Sequence, residues 1–255
     1  MMIAALLISG AAICTAGQTS PQRKENTREG KSGPSAPTKQ DMQAPLSSPE
    51  YQTENGPSLK ANNAQAKSVQ YTYEFTQPAF LISHILIEHD AAGGGKITFE
   101  RKNSDPIVDP IALSPATIER VRRLWEALHF LDSDLSYQTP KQYPHLGTVR
   151  LHMKQDTRER VTDFNWTSDK DAFALATEYR RIANQAIFIF DITLARENQP
   201  LEAPKLMDQL DLYVRRNEVA DANQLIPLLR DLSTDERIPL MARNNAARIL
   251  KKIEK

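Results

Sequence analysis

Cysteine is nearly absent from this sequence: Cys14 is the only one. A lone thiol excludes internal disulfides and cysteine clusters for zinc or iron–sulfur, so stability must rest on a packed core. Neither sign of charge is in surplus. Acidic and basic residues balance at a formal net charge of zero, which leaves no basic excess for a phosphate backbone and argues against nucleic acid as a partner. Beyond the first residues, long apolar runs are missing too. The richest, AIFIFDITLA (186–195), is short and interrupted by Asp191, whereas a bilayer-spanning helix needs roughly 20 apolar residues. The patterns G-x-S-x-G, H-x-x-x-H and H-E-x-x-H do not occur. No local stretch therefore marks a nucleophile elbow or a zinc site.

What is present begins with MMIAALLISGAAICTAGQ, an apolar run followed by small residues. It reads as a signal peptide over residues 1–16, with Cys14 and Ala16 in the minus-three and minus-one places before Gly17. Export to the periplasm or the extracellular space is the expectation. The alternative is a lipoprotein acylated on Cys14, the one case in which a membrane contact is expected, although Ile13 stands where a lipobox carries a small residue. Residues 17–68 are rich in Ser, Pro, Gln, Asn, Lys and Glu. Such a composition buries too little apolar surface to offset backbone ordering, so a disordered linker is expected, either a tether or a passive spacer.

Order is expected from Val69. YTYEF (71–75) and FLISHILIEH (80–89) alternate as strands, and KITFERK (96–102) returns after DAAGGG. That loop lacks the first glycine and the final hydroxyl of a phosphate-binding G-x-x-x-x-G-K-[ST], and a strand rather than a helix follows it, so it reads as a hairpin turn. Gly93, Gly94 and Gly95 are expected to supply its positive φ values. Ser114 and Pro115 open a helix through Ile118, Val121, Leu124, Trp125 and Leu128. TVRLHM (148–153) and RVTDFNW (160–166) form a second hairpin. Ser168 with Asp171 makes a capping-box pattern before a long helix through Phe173, Ala176, Tyr179, Ile182, Ala183 and Phe190. The expectation is an α+β domain over 69–198, two antiparallel hairpins in a small sheet packed by two helices. An all-α extension of about three helices follows over 199–255.

The order of a hairpin, LSPATIERVRRLWEALHFLD, a tyrosine-bearing loop, the TVRLHM/RVTDFNW hairpin and a closing helix resembles a family of uncharacterised secreted bacterial α+β domains, over about residues 70–195. The resemblance implies an extracytoplasmic location and no assigned reaction. LIPLLRDLSTDERIPLMARNNAARILKKI in turn resembles one HEAT-like unit. It would set Leu225, Ile226, Leu228, Leu229 and Leu232 against Leu240, Ala246, Ala247, Ile249, Leu250 and Ile253. One such unit cannot bury its own apolar faces, so it is expected as a fragment of an array or as a cap on the α+β domain.

Two stretches hold candidate ligand-binding residues. DFNWTSDKD alternates oxygen donors at Asp163, Asn165, Thr167, Asp169 and Asp171, as a calcium loop does, but Ser168 and Ala174 occupy the glycine and glutamate places of an EF-hand. The plainer alternative makes them strand-surface and helix-capping residues. SYQTPKQYPHLG offers Tyr137, Gln138, Tyr143 and His145, with Trp166 from the second hairpin, as a binding surface; alternatively its tyrosines cover the edge of the core. His84 and His89 fall on opposite strand faces and are expected to be structural, as are His129, His145 and His152. These readings favour a non-catalytic binding module of the bacterial envelope, without cofactor, contacting another envelope protein through its C-terminal helices. The alternative is an envelope hydrolase assembled from dispersed Asp, Glu and His at the 163–171 segment or the 137–145 loop. A buried carboxylate beside a histidine in a deep pocket would favour the hydrolase; a shallow apolar groove between domain and tail would favour binding.

Overall fold

A computed structural model describes residues 69–255. The expected signal peptide, its cleavage after Ala16, the Cys14 lipid site and the 17–68 linker lie outside the described residues. In chain order the elements are β1 (Val69–Thr76), β2 (Ile82–Asp90), β3 (Gly94–Arg101), β4 (Ile107–Ala112), α1 (Pro115–Ala127), β5 (Thr148–Gln155), β6 (Arg158–Phe164), α2 (Lys170–Asn198), α3 (Ala203–Arg215), α4 (Ile226–Thr234) and α5 (Leu240–Ile253). The class is α+β. The strands form one antiparallel sheet of order β4-β3-β2-β1-β5-β6.

This sheet is larger than two hairpins. β1 pairs with β2 on one side and β5 on the other, joining the hairpins, and β4 adds an unanticipated edge. Pro110 explains both facts about β4: it hides the strand in the sequence, and it is tolerated only where no further strand needs its missing N–H. β2 also starts later than its apolar run suggests. Phe80 and Leu81 belong to the preceding turn, which Gln77 closes by donating to the Ser83 carbonyl at 2.8 Å.

Alternation in β1 sends Tyr71, Tyr73 and Phe75 to one face, where they meet Ile87, Ile97, Phe99, Val149 and Leu151. Helices α1 and α2 cover that face with Val121, Trp125, Leu175, Tyr179 and Ile182. The opposite face is polar, with Arg150 bonded to Asp163 at 2.8 Å and Lys96 to Glu88 at 3.0 Å. Helix α2 serves two cores. Its sheet side holds Ala183 and Ile187, while Phe188 and Ile192 pack with Met207, Leu210, Leu229 and Ile249 of the last three helices. A helix apolar on both sides must be buried on both, which accounts for AIFIFDITLA without a membrane. No described helix is long and apolar enough to cross one. Asp191, the charge within that run, accepts from Arg101 Nη2 on both carboxylate oxygens, at 2.5 and 2.7 Å.

Three local expectations need correction. Gly93 alone of the triplet has positive φ, +83°; Gly94 and Gly95 lie in β3. The cap of α2 is Asp169, not Ser168, its carboxylate accepting from the Asp171 and Ala172 amides at 3.0 and 2.8 Å. In the tail, Leu225, Leu229 and Leu232 do face Ala246 and Ile249, but Leu240 is exposed and Ala242 takes the buried place. A urea titration separates the two caps: Asp169→Ala is expected to cost about 1 kcal/mol, and Ser168→Ala to stay within about 0.5 kcal/mol of the parent.

Candidate functional site

The sheet's α-covered face is not fully closed at one end. There the β1–β2 turn, the start of β5, the end of β6, one flank of α2 and the turn after α3 surround a groove of about 860 Å³. Tyr73, Phe75 and Val149 form part of its wall. Its apolar rim stands in water: Phe80 is 45% exposed, Leu81 77%, Trp166 44% and Phe173 48%. Single exposed apolar residues are ordinary, but four around one concavity are a feature.

Specific contacts hold this frame. Gln77 donates from Nε2 to the Pro144 carbonyl at 2.9 Å, tying the β1–β2 turn to the 133–147 loop. Gly147, at φ +87°, lies against Phe75, whose ring a Cβ would meet at 2.6 Å. Asn184 on α2 donates to the Glu218 carbonyl at 3.1 Å and fixes the turn after α3. Below, Glu178 is buried and paired with Arg120 at 2.7 Å and Arg181 at 3.0 Å. Arg120 also donates to the Ala220 carbonyl at 2.5 Å, so this ion cluster of α1 and α2 is tied to the tail by a hydrogen bond.

The groove's polar groups are sparse and unevenly matched. Arg180 lines it, is exposed, and pairs with no carboxylate among the described residues. Tyr73 is fully buried and its hydroxyl has no hydrogen-bond partner. Burial pushes that hydroxyl's pKa up to about 12 against the opposing charge of Arg180, which lies near enough to act on it without meeting it in hydrogen-bond geometry. Glu218 is the carboxylate residue of the lining, and no histidine is among the residues that form it.

The residues singled out from sequence divide between rim and frame. Trp166 is on the rim, with Tyr143 edge-on to it at 5.8 Å and His145 edge-on to Tyr143 at 6.1 Å. Tyr137 is a core residue, buried and stacked on Phe130. Gln138 holds the loop to the second hairpin, accepting from the Asn165 amide at 2.8 Å. The oxygens of the calcium candidates are occupied within the protein: Asp163 by Arg150, Asn165 by the Tyr143 amide at 3.0 Å, and Asp169 by the α2 N-terminus. Among the described residues no three His, Cys, Asp or Glu side chains converge as a metal site would require. Sequence reasoning missed Tyr73, Phe80, Leu81, Phe173 and Arg180. A signal did exist for one pair: Phe80-Leu81 follows Pro78 with one residue between, where a turn is expected.

His89 sits elsewhere, in a closed relay. Trp125 Nε1 donates to the Tyr179 hydroxyl at 3.0 Å, Tyr179 faces His89 Nε2 at 2.9 Å, and His89 Nδ1 faces the Asp90 carbonyl at 2.8 Å. The partners assign the tautomer: Nδ1 carries the proton and Nε2 accepts. Burial lowers the His89 pKa, against the backbone and charge of Asp90. His84 lies on the open sheet face between Glu74 at 2.9 Å and Glu100 at 3.3 Å. No family model matches the chain, and no curated protein matches it.

Proposed function

We propose that this chain is an exported, non-catalytic binding module of the bacterial envelope that takes an apolar ligand in the groove. The observation that carries this reading is the apolar rim of Phe80, Leu81, Trp166 and Phe173 around a concavity of about 860 Å³, bounded by both the α+β core and the helical tail. Ligand sites are concave, mostly apolar and furnished with few polar groups. The lining supports binding over hydrolysis because it offers neither a histidine nor a carboxylate–histidine pair. In this proposal 17–68 is the linker behind a signal peptide. The three last helices form a HEAT-like cap on the kind of secreted α+β domain that the chain resembles. A protein partner on those helices is the second reading, favoured by the exposure of Leu240 and Met241 on α5 and of Leu201 just ahead of α3.

The molecule carries its own reporter. Of its two tryptophans, Trp125 is buried and Trp166 lies on the rim. A neutral apolar dye such as Nile red is expected to bind saturably and to blue-shift or quench the Trp166 emission. Trp166→Phe should remove the tryptophan change while dye fluorescence still saturates. Absence of saturable binding would sink the proposal. Ester turnover lost on His84→Ala would replace it with the hydrolase, centred on the His84–Glu74–Glu100 group of the open face.

A further inference from the structure

Two polar groups at the groove have no partner, and both suit an anion. Arg180 is a guanidinium at the surface of an apolar wall with no acid paired to it among the described residues. Its neighbour on the helix, Arg181, is by contrast engaged by Glu178 at 3.0 Å. Tyr73 presents a fully buried hydroxyl that no group meets in hydrogen-bond geometry, with the Arg180 guanidinium near enough to act on it. Buried polar groups are nearly always satisfied, so a hydroxyl with no protein partner beside a cation with no acid suits a hydrogen-bonding anion. Arg216, also in the lining and exposed, adds positive charge on the tail side.

We propose that the ligand is a single-chain acyl carboxylate, its chain against Phe75, Phe80, Trp166 and Phe173 and its carboxylate held by Arg180 and the Tyr73 hydroxyl. This rests on the apolar-ligand reading above and adds the head group. Arginine matches carboxylate geometry with two parallel donors, and such charge-assisted bonds are the strong ones. The body of the ligand follows from what the walls lack. Of the two edge strands, β4 contributes nothing to the lining and β6 only Phe164. An extended peptide laid in the groove would thus find no strand ladder for its amides and carbonyls, whereas an acyl chain needs none.

The test compares dodecanoate, dodecanol and a hydrophobic peptide with a free C-terminus, each below its aggregation concentration, by Trp166 emission and Nile red displacement. Dodecanoate is expected to bind at least about tenfold tighter than dodecanol, as one charge-assisted pair allows. Arg180→Gln should erase that difference and leave dodecanol unchanged. Tyr73→Phe should weaken dodecanoate several-fold while leaving thermal stability equal or higher, because the variant removes an unmet buried hydroxyl; a purely structural Tyr73 would give the opposite pair of results. Equal affinity for acid and alcohol would overturn the carboxylate assignment and leave the apolar groove standing. A peptide that outcompetes dodecanoate would overturn the acyl assignment. If neither Nile red nor any of these compounds binds, the groove reading itself falls.

Discussion

Gly95→Ala is expected to cost about 3 kcal/mol or more, at the upper end of what over-packing does and a large share of an ordinary domain's stability. A methyl group there would stand 2.0 Å from the Glu88 carbonyl oxygen, 2.7 Å from His89 Cα and 2.8 Å from His89 Cβ. Two of those atoms are backbone, and the third is fixed by a buried ring, so no side-chain rotation relieves the clash. β3 would have to leave β2 at the His89–Gly95 pair. The neighbours calibrate the claim. At Gly94 the nearest atom to an added methyl is an Asp90 carboxylate oxygen at 3.7 Å, so Gly94→Ala should stay within about 0.5 kcal/mol of the parent. Gly93→Ala should fall between them, since its φ of +83° disfavours a side chain but the clash is with the flexible end of Ile118. Chemical denaturation of the three variants gives the ranking; a Gly95→Ala protein as stable as the parent would mean the strands do not approach this closely.

The contrast between these glycines shows what could and could not be read from the chain. A turn after Asp90 was legible, because two alternating segments flank a glycine run. Which glycine serves the turn and which serves strand approach was not, since close packing against another strand leaves no local mark. The same limit hid the groove. Phe80 continues the apolar run of β2 and Phe173 keeps helical spacing with the core of α2, so period alone assigns both to the interior. Their exposure is decided by distant segments, the 133–147 loop and the turn after α3, that stop short of covering them. Tyr137 and Tyr143 show the converse. Both are loop tyrosines flanking Pro140, yet one stacks on Phe130 in the core and the other supports Trp166 at the rim. In the tail, Pro239 caps α5 and sets its phase, so that Ala242, Ala246 and Ile249 form the buried stripe and Leu240 faces water.

Tyr179→Phe is expected to destabilise the protein by about 3 kcal/mol although it removes one oxygen atom. The ring would stay stacked on Tyr73, now 4.9 Å away, so little packing is lost. What changes is the relay: the Trp125 Nε1 donor and the His89 Nε2 acceptor would both be buried without partners, and each such orphan costs about 1–3 kcal/mol. The relay also predicts a pH dependence. In the folded state burial holds the His89 pKa below its ordinary 6.5, outweighing the Asp90 carbonyl and carboxylate that favour the charged ring; the tyrosines packed on it, Tyr71 and Tyr179, both have raised pKa values and stay neutral. The unfolded chain therefore takes up this proton first. The stability that the neutral ring contributes is complete above about pH 6.5 and is lost as pH falls through that value toward the folded pKa. Denaturation midpoints measured from pH 8 to 5 should decline on the acid side. His89→Phe, which keeps a ring against Tyr71 and removes the titration, should flatten that decline while lowering stability throughout. An unchanged acid slope in His89→Phe would show that the ring is not the group that charges, and a Tyr179→Phe protein as stable as its parent would show that the relay is not closed as described.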